Sequence, residues 1–236
     1  MDRYERHRTL LSSSGWKRLT ETVIVCAGAG GLGSFVLELC VRLGPMTIHV
    51  WDPGKLDTPD LNRQILYTTE DLGRKKSEAA CRRLASVNPE ASLTCYSRKL
   101  TAESFAQAYG KPEAAPGFVL FDCLDSFAAR GELESIRRAY GCTVFHGGVE
   151  GWFGQVATFL PGGAGYREAF GGGWDALPGA KKPIIPAVVA TVASYQVGAF
   201  IGWLEDPEAC PRSGKILLYD GKTLTTRSVT IPGNRK

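Results

Sequence analysis

Gly28, Gly30 and Gly33 give the spacing G-x-G-x-x-G, and an acidic residue, Asp52, stands 19 positions beyond the last of them. Glycines so spaced let the backbone approach a phosphate, and a helix beginning behind them offers free N–H groups and a positive dipole end. A carboxylate at the end of the following strand suits ribose hydroxyls. Two further sets of residues could serve the same chemistry. One is the basic set Arg63, Arg74, Lys75 and Lys76; the other is Asp122 and Asp125, which close a later apolar run. Together they suit nucleotide binding, although the glycine motif does not say which nucleotide. The plainer alternatives are a glycine turn with no ligand and an ordinary strand-end Asp52.

The elements that must position these residues follow from the hydrophobic pattern. Val23–Ala27 is a short apolar, β-rich run, the mark of a buried parallel strand. From Ser34 through Leu43 the apolar residues fall at helical spacing, and Gly44-Pro45 stops that helix. Met46–Asp52 then reads as a strand, Asp57–Ile65 as a turn-rich loop, Lys75–Val87 as an amphipathic helix closed by Asn88-Pro89, and Leu93–Tyr96 as a strand. A helix over 102–109, a strand from Phe118 to Asp125, a helix over 128–140 and a strand Thr143–His146 complete the alternation. Alternating β and α predict a Rossmann-like α/β fold, a doubly wound and mainly parallel sheet. Ligands then belong at the carboxyl ends of the strands, where Asp122 and Asp125 fall.

After Gly147-Gly148 the pattern changes. Phe153–Pro161 reads as an antiparallel strand, Gly162–Gly179 as a mobile or crossover loop, the stretch from Pro186 as an apolar helix, and Lys215–Ile231 as a closing hairpin. The expected organisation is an N-terminal arm (1–20), a nucleotide-binding region (21–150) and an antiparallel C-terminal extension of the same domain (151–236). The arm reads as a short helix with Tyr4, Leu10, Leu11, Trp16 and Leu19 as apolar positions, broken by Ser12–Gly15. Its arginines, Arg3, Arg6 and Arg8, form a solvated face or reach a second active site.

At 236 residues the chain suits one sizeable core, and a net charge of +4 implies no nucleic-acid partner. Its 7 cysteines include no C-x-x-C pair and read as reduced thiols of a cytoplasmic protein. The charged N-terminus lacks the apolar core of a signal peptide. Pro183–Leu204 carries no charge and is long enough to span a bilayer. Its Thr191, Ser194, Tyr195 and Gln196, and the absence of aromatic and basic anchors, favour a core or interface helix over a membrane span.

Taken in order, Gly28-Ala-Gly-Gly-Leu-Gly-Ser34, Asp52, Leu61-Asn-Arg-Gln64, Gly73-Arg-Lys-Lys76, Asn88-Pro89, Asp122-Cys-Leu-Asp125 and Gly154-Gln-Val156 resemble the ThiF/MoeB/HesA family, relatives of ubiquitin-activating enzymes. The resemblance runs from about Arg3 to Ile231. It implies binding of ATP and Mg²⁺, and adenylation of the C-terminal carboxylate of a small ubiquitin-like sulfur-carrier protein of ThiS or MoaD type ending in Gly-Gly, for thiamine or molybdenum/tungsten cofactor synthesis. It further implies that Gly28, Gly30, Gly31 and Gly33 cradle the nucleotide and Asp52 its ribose. Arg63 and Lys76 would contact the triphosphate, Gln64 would line the phosphate pocket, and Asp125 would hold Mg²⁺. Arg6 would act as an arginine finger reaching into the other subunit of a homodimer.

The chain departs from the family pattern at several points. Gly54 stands where a second Asp is common, and Asp60 where Asn is expected, which alters one nucleotide contact. The first zinc pair falls on Gly165-Tyr-Arg-Glu168, and Cys210 is alone downstream, so no zinc is expected. There is no cysteine between Cys142 and Cys210 to form a covalent intermediate in the crossover loop. Other readings stay open. A tRNA threonylcarbamoyladenosine dehydratase-like enzyme would share Asn62-Arg63-Gln64, an NAD-dependent oxidoreductase would use the glycine loop and Asp52, and a non-catalytic pseudo-enzyme would explain the losses. Phe153-Gly-Gln-Val156 and the mild charge favour the sulfur-carrier branch, because a tRNA binder is expected to be more basic.

Overall fold

The structure, a computed structural model, describes residues 2–115, 117–173, 183–211 and 213–232. Two short helices, α1 (Glu5–Arg8) and α2 (Ser13–Glu21), precede the sheet. The core then runs β1 (Val23–Ala27), α3 (Gly31–Leu43), β2 (Thr47–Trp51), α4 (Lys76–Val87), β3 (Ser92–Tyr96), α5 (Ala102–Tyr109), β4 (Phe118–Asp122), α6 (Phe127–Tyr140), β5 (Thr143–Glu150) and β6 (Phe153–Phe159). It closes with α7 (Tyr166–Phe170), α8 (Pro186–Glu205), β7 (Lys215–Asp220) and β8 (Thr225–Thr230).

The eight strands of the described residues lie in one sheet of order β3-β2-β1-β4-β5-β6-β7-β8. The first five pair in parallel and the last three antiparallel, which is the expected doubly wound sheet with an antiparallel continuation. The order reverses between β1 and β4, so the crevice at their carboxyl ends is the topological switch point.

Strand alternation divides the core in two. Ile24, Cys26, Ile48, Val50, Val119 and Phe121 face α3, α4 and α8. Val25, Ala27, Trp51, Leu120 and Val144 face α5, α6 and α7. The apolar helix α8 packs on β5, β6 and α3, as a core helix does, and buries Val189, Val192, Ala193 and Phe200. It is long and apolar enough to cross a membrane, but half of that span is inside the fold.

Three local expectations need correction. The break in the arm falls at 9–12, between α1 and α2, rather than over Ser12–Gly15; Ser12 caps α2 by accepting the Gly15 N–H at 2.9 Å, and a Cβ on Gly15 would lie 2.1 Å from Glu205 Oε1. The strand expected over Thr143–His146 runs on through Gly147-Gly148 to Glu150 as β5, and a Cβ on Gly147 would lie 2.4 Å from the Gln196 amide of α8. The glycine there serves close packing of helix on strand, which no local pattern announces. Of Gly162–Gly179, residues 174–179 lie outside the described residues, and the part before them contains α7.

Candidate active site

The glycine turn depends on two close approaches. Gly28 has φ +96°, and a Cβ there would lie 2.7 Å from the Cys123 carbonyl oxygen at the end of β4. A Cβ on Gly33 would lie 1.9 Å from the carbonyl oxygen of Gly28. Gly30 caps α3, whose first turn begins at Gly31, three residues before the start expected from the apolar pattern. Asp52 reinforces the turn: Oδ2 accepts the Ala29 N–H at 2.8 Å and Oδ1 the Gly54 N–H at 2.7 Å. A carboxylate oxygen has two acceptor positions, so Asp52 retains capacity for a ribose hydroxyl. The glycine at 54 is itself accommodated by Asp52, since a Cβ there would stand 3.0 Å from Oδ1.

Against this turn lies the loop from Asp57 to Tyr67. Tyr67 fastens it by donating its hydroxyl to the Ala29 carbonyl at 2.7 Å. The Arg63 stem passes 3.5 Å from where a Gly31 Cβ would be, and Gln64 Nε2 passes 3.8 Å from that of Gly30. Lys76 enters from the start of α4, with its stem 3.6 Å from the Cβ position of Gly54. Asp60 gathers all three side chains. Lys76 Nζ lies 3.0 Å from its Oδ2, Gln64 Nε2 donates to Oδ1 at 2.7 Å, and Arg63 Nη2 lies 3.8 Å from Oδ1. Gln64 is buried, and its Oε1 has no partner among the described residues. Sequence reasoning noted Asp60 only as a departure. Its signal was the spacing Asp60-x-x-Arg63-Gln64, which in a tight turn brings residues three and four apart together.

Asp125 stands two residues beyond Cys123, exposed, with no hydrogen bond or ion pair among the described residues. Asp122 does not point to the crevice. Its Oδ2 accepts from Arg130 Nε at 2.9 Å, His146 Nδ1 at 2.6 Å and the Tyr166 hydroxyl at 2.7 Å, all inside the core. Of the two carboxylates ending this strand, only Asp125 is free for a ligand. Arg6 is exposed on α1, and the arm is anchored at the wrong end for its own site. Arg3 donates to the Val87 carbonyl at 3.1 Å, and His7 Nε2 lies 2.8 Å from the Leu43 carbonyl. Those are the last turns of α4 and α3, whose first turns hold Lys76 and the glycines.

The chain matches the ThiF family over residues 4–236. It is 31% identical to a sulfur carrier protein adenylyltransferase of Thermus thermophilus, over 99% of this chain and 88% of that protein. It is 26% identical to the sulfur carrier protein ThiS adenylyltransferase of Escherichia coli, over 97% of this chain and 90% of that one. The chain belongs to the ThiF family. Among solved structures, E. coli MccB with ATP superposes with a TM-score of 0.81 at 17% identity, over 100% of this chain and 72% of MccB, a likeness of fold.

The enzyme class of these ThiF-family relatives, adenylyltransferase, is that of this chain. The positions that resemble the family's first zinc pair are used otherwise here. Gly165 N–H donates to Glu168 Oε2 at 2.8 Å to start α7, and Tyr166 between them is buried on Asp122. Around Asp122 the charges are settled internally. Burial alone would raise its carboxyl, but the Arg130 guanidinium and the His146 and Tyr166 hydrogen bonds outweigh that and hold it well below the carboxylate range. Burial pushes the His146 imidazole down, against the pull of Asp122. Its Nδ1–H therefore faces Asp122, while Nε2 accepts from Gln155 at 3.2 Å. Cys123, beside the glycine turn, has its thiol pushed up by burial, the opposite of an activated nucleophile.

Proposed function

We propose that this chain uses ATP to adenylate the C-terminal carboxylate of a small ubiquitin-like sulfur-carrier protein ending in Gly-Gly. One observation carries the reading: Arg63 and Gln64 lie against the glycine turn at the switch point of the sheet, and Lys76, from a separate element, joins them at Asp60. A turn that excludes a Cβ at Gly28 and Gly33, beside the free N–H groups of α3, fits a phosphate chain. The near full-length likeness to named sulfur-carrier adenylyltransferases supports the carrier as substrate. The oxidoreductase and pseudo-enzyme readings do not fit that class.

In the reaction, a carboxylate oxygen of the carrier tail bonds to the α-phosphorus as the α–β P–O bond breaks, and pyrophosphate leaves with the electron pair. Arg63 and Lys76 hold the phosphates and offset the charge that develops on them. Gln64 donates to a phosphate oxygen, and Asp52 fixes the turn and accepts from the ribose. Mg²⁺ commonly binds through one or two carboxylates and the substrate's phosphates, and the exposed, unengaged Asp125 suits that part. When bound, the metal supplies charge neutralisation on the phosphates.

Arg6 belongs to the same proposal through a second copy of the chain. α3 has 13 residues, so its two ends are separated by roughly 18 Å at about 1.5 Å per residue. An arginine tethered at the Leu43 end does not reach the Gly31 end of its own subunit, and a homodimer supplies the alternative. ATP–pyrophosphate exchange in the presence of candidate ThiS- and MoaD-type carriers tests the function. Carrier-dependent exchange is expected, whereas exchange with tRNA alone would move the substrate to an RNA-linked carboxylate.

A further inference from the structure

The three donors assigned to the phosphates already have an anion. Lys76 Nζ at 3.0 Å, Gln64 Nε2 at 2.7 Å and Arg63 Nη2 at 3.8 Å all meet the Asp60 carboxylate, whose side chain is only 15% exposed. Lys76 is equally withdrawn, at 14%. A half-enclosed ammonium needs a counter-charge when no ligand is present, because its lost hydration must be replaced. A phosphate entering beside it would meet the carboxylate as a like charge competing for the same N–H groups.

We infer that Asp60 is an internal substitute for the polyphosphate: its carboxylate keeps the donors of Lys76, Gln64 and Arg63 ordered in the free protein, and ligand phosphates bind by displacing it. This rests on the nucleotide reading above and makes Asp60 a positioning residue for it. Asp60 orders the donors at the expense of affinity. Asp60→Asn isolates the charge, since the amide keeps the volume and an oxygen for Gln64 Nε2. The side chain also accepts the Asp57 N–H at 3.2 Å, which closes the 3₁₀ turn Thr58–Asp60.

The test is calorimetric titration of the full chain with inorganic tripolyphosphate, metal-free and at fixed low ionic strength, for wild type and Asp60→Asn. The variant is expected to bind roughly ten-fold tighter or more. Its ligand-free melting temperature should fall below that of wild type and recover as tripolyphosphate is added. Asp60→Ser, which keeps a capping oxygen without the charge, serves if the first variant folds poorly. Equal or weaker binding by the charge-free variants overturns the inference, as does a failure of both proteins to bind tripolyphosphate. Failure of the functional reading looks different: the gain in tripolyphosphate affinity persists, but no carrier supports ATP–pyrophosphate exchange.

Discussion

The carbonyl oxygen of Gly28 occupies the space that a side chain on Gly33 would need, 1.9 Å from its Cβ position. The contact is backbone, so no rotamer change relieves it. Gly33→Ala must therefore open the turn or move α3. It is expected to cost about 3 kcal/mol or more and to lower the melting temperature by roughly 6 °C or more for a chain of this size. Differential scanning calorimetry measures this, and a variant melting with wild type would refute the geometry.

Asp122 and Asp125 close the same strand region three residues apart, yet they should respond oppositely to mutation. Asp122→Asn leaves the buried Arg130 guanidinium without its counter-charge, a loss of about 3–5 kcal/mol. Asp125→Ala removes an exposed side chain, so stability should stay within about 0.5 kcal/mol of wild type while carrier-dependent exchange is abolished. Urea denaturation and pyrophosphate exchange on both variants check the pair. Near-normal exchange by Asp125→Ala would remove it from the metal site.

This pair also shows how far the sequence could be read. Strand and helix periods, glycine spacing and Gly/Pro stops gave the order of elements and the edge of the sheet where a ligand belongs. They could not divide Asp122 from Asp125, because what claims Asp122 comes from α6, β5 and α7, distant in sequence. Asp60 was legible as an oddity, and its partners Arg63 and Gln64 were local, but Lys76 reaches it only through the tertiary fold. Likewise, the local pattern ends the strand at His146, because the reason for glycine at 147 inside it, Gln196, lies on α8.

Acid should weaken the fold through His146. Burial holds its folded pKa below the unfolded value of about 6.5, so the unfolded chain takes up the proton first. Stability contributed by the neutral imidazole is complete above that value and is lost as pH falls below it. Asp122, also depressed in the fold, adds its own loss only further down, below about pH 3.9. Between about pH 6.5 and 5 the slope should therefore belong to His146 together with His49, whose imidazole burial also holds down. Denaturant midpoints over that window should fall for wild type and fall less steeply in His146→Gln, where His49 alone of the two remains. An equally steep curve in the variant would assign the acid sensitivity to other groups.

Arg6 offers a test that separates the two possible directions of reach. The arm is held by Arg3, Tyr4 and His7 at the far ends of α3 and α4, so Arg6→Ala should lower exchange without changing stability. If the arginine works across a two-fold dimer, a mixture of Arg6→Ala and Asp125→Ala chains creates one intact site in each mixed dimer. Random exchange of subunits makes half of the dimers mixed, giving about a quarter of the wild-type rate. Each variant alone should stay near background. A mixture no faster than its components would mean that Arg6 serves its own chain after a rearrangement of the arm, or serves no site at all, and the anchoring by Arg3 and His7 argues against the rearrangement.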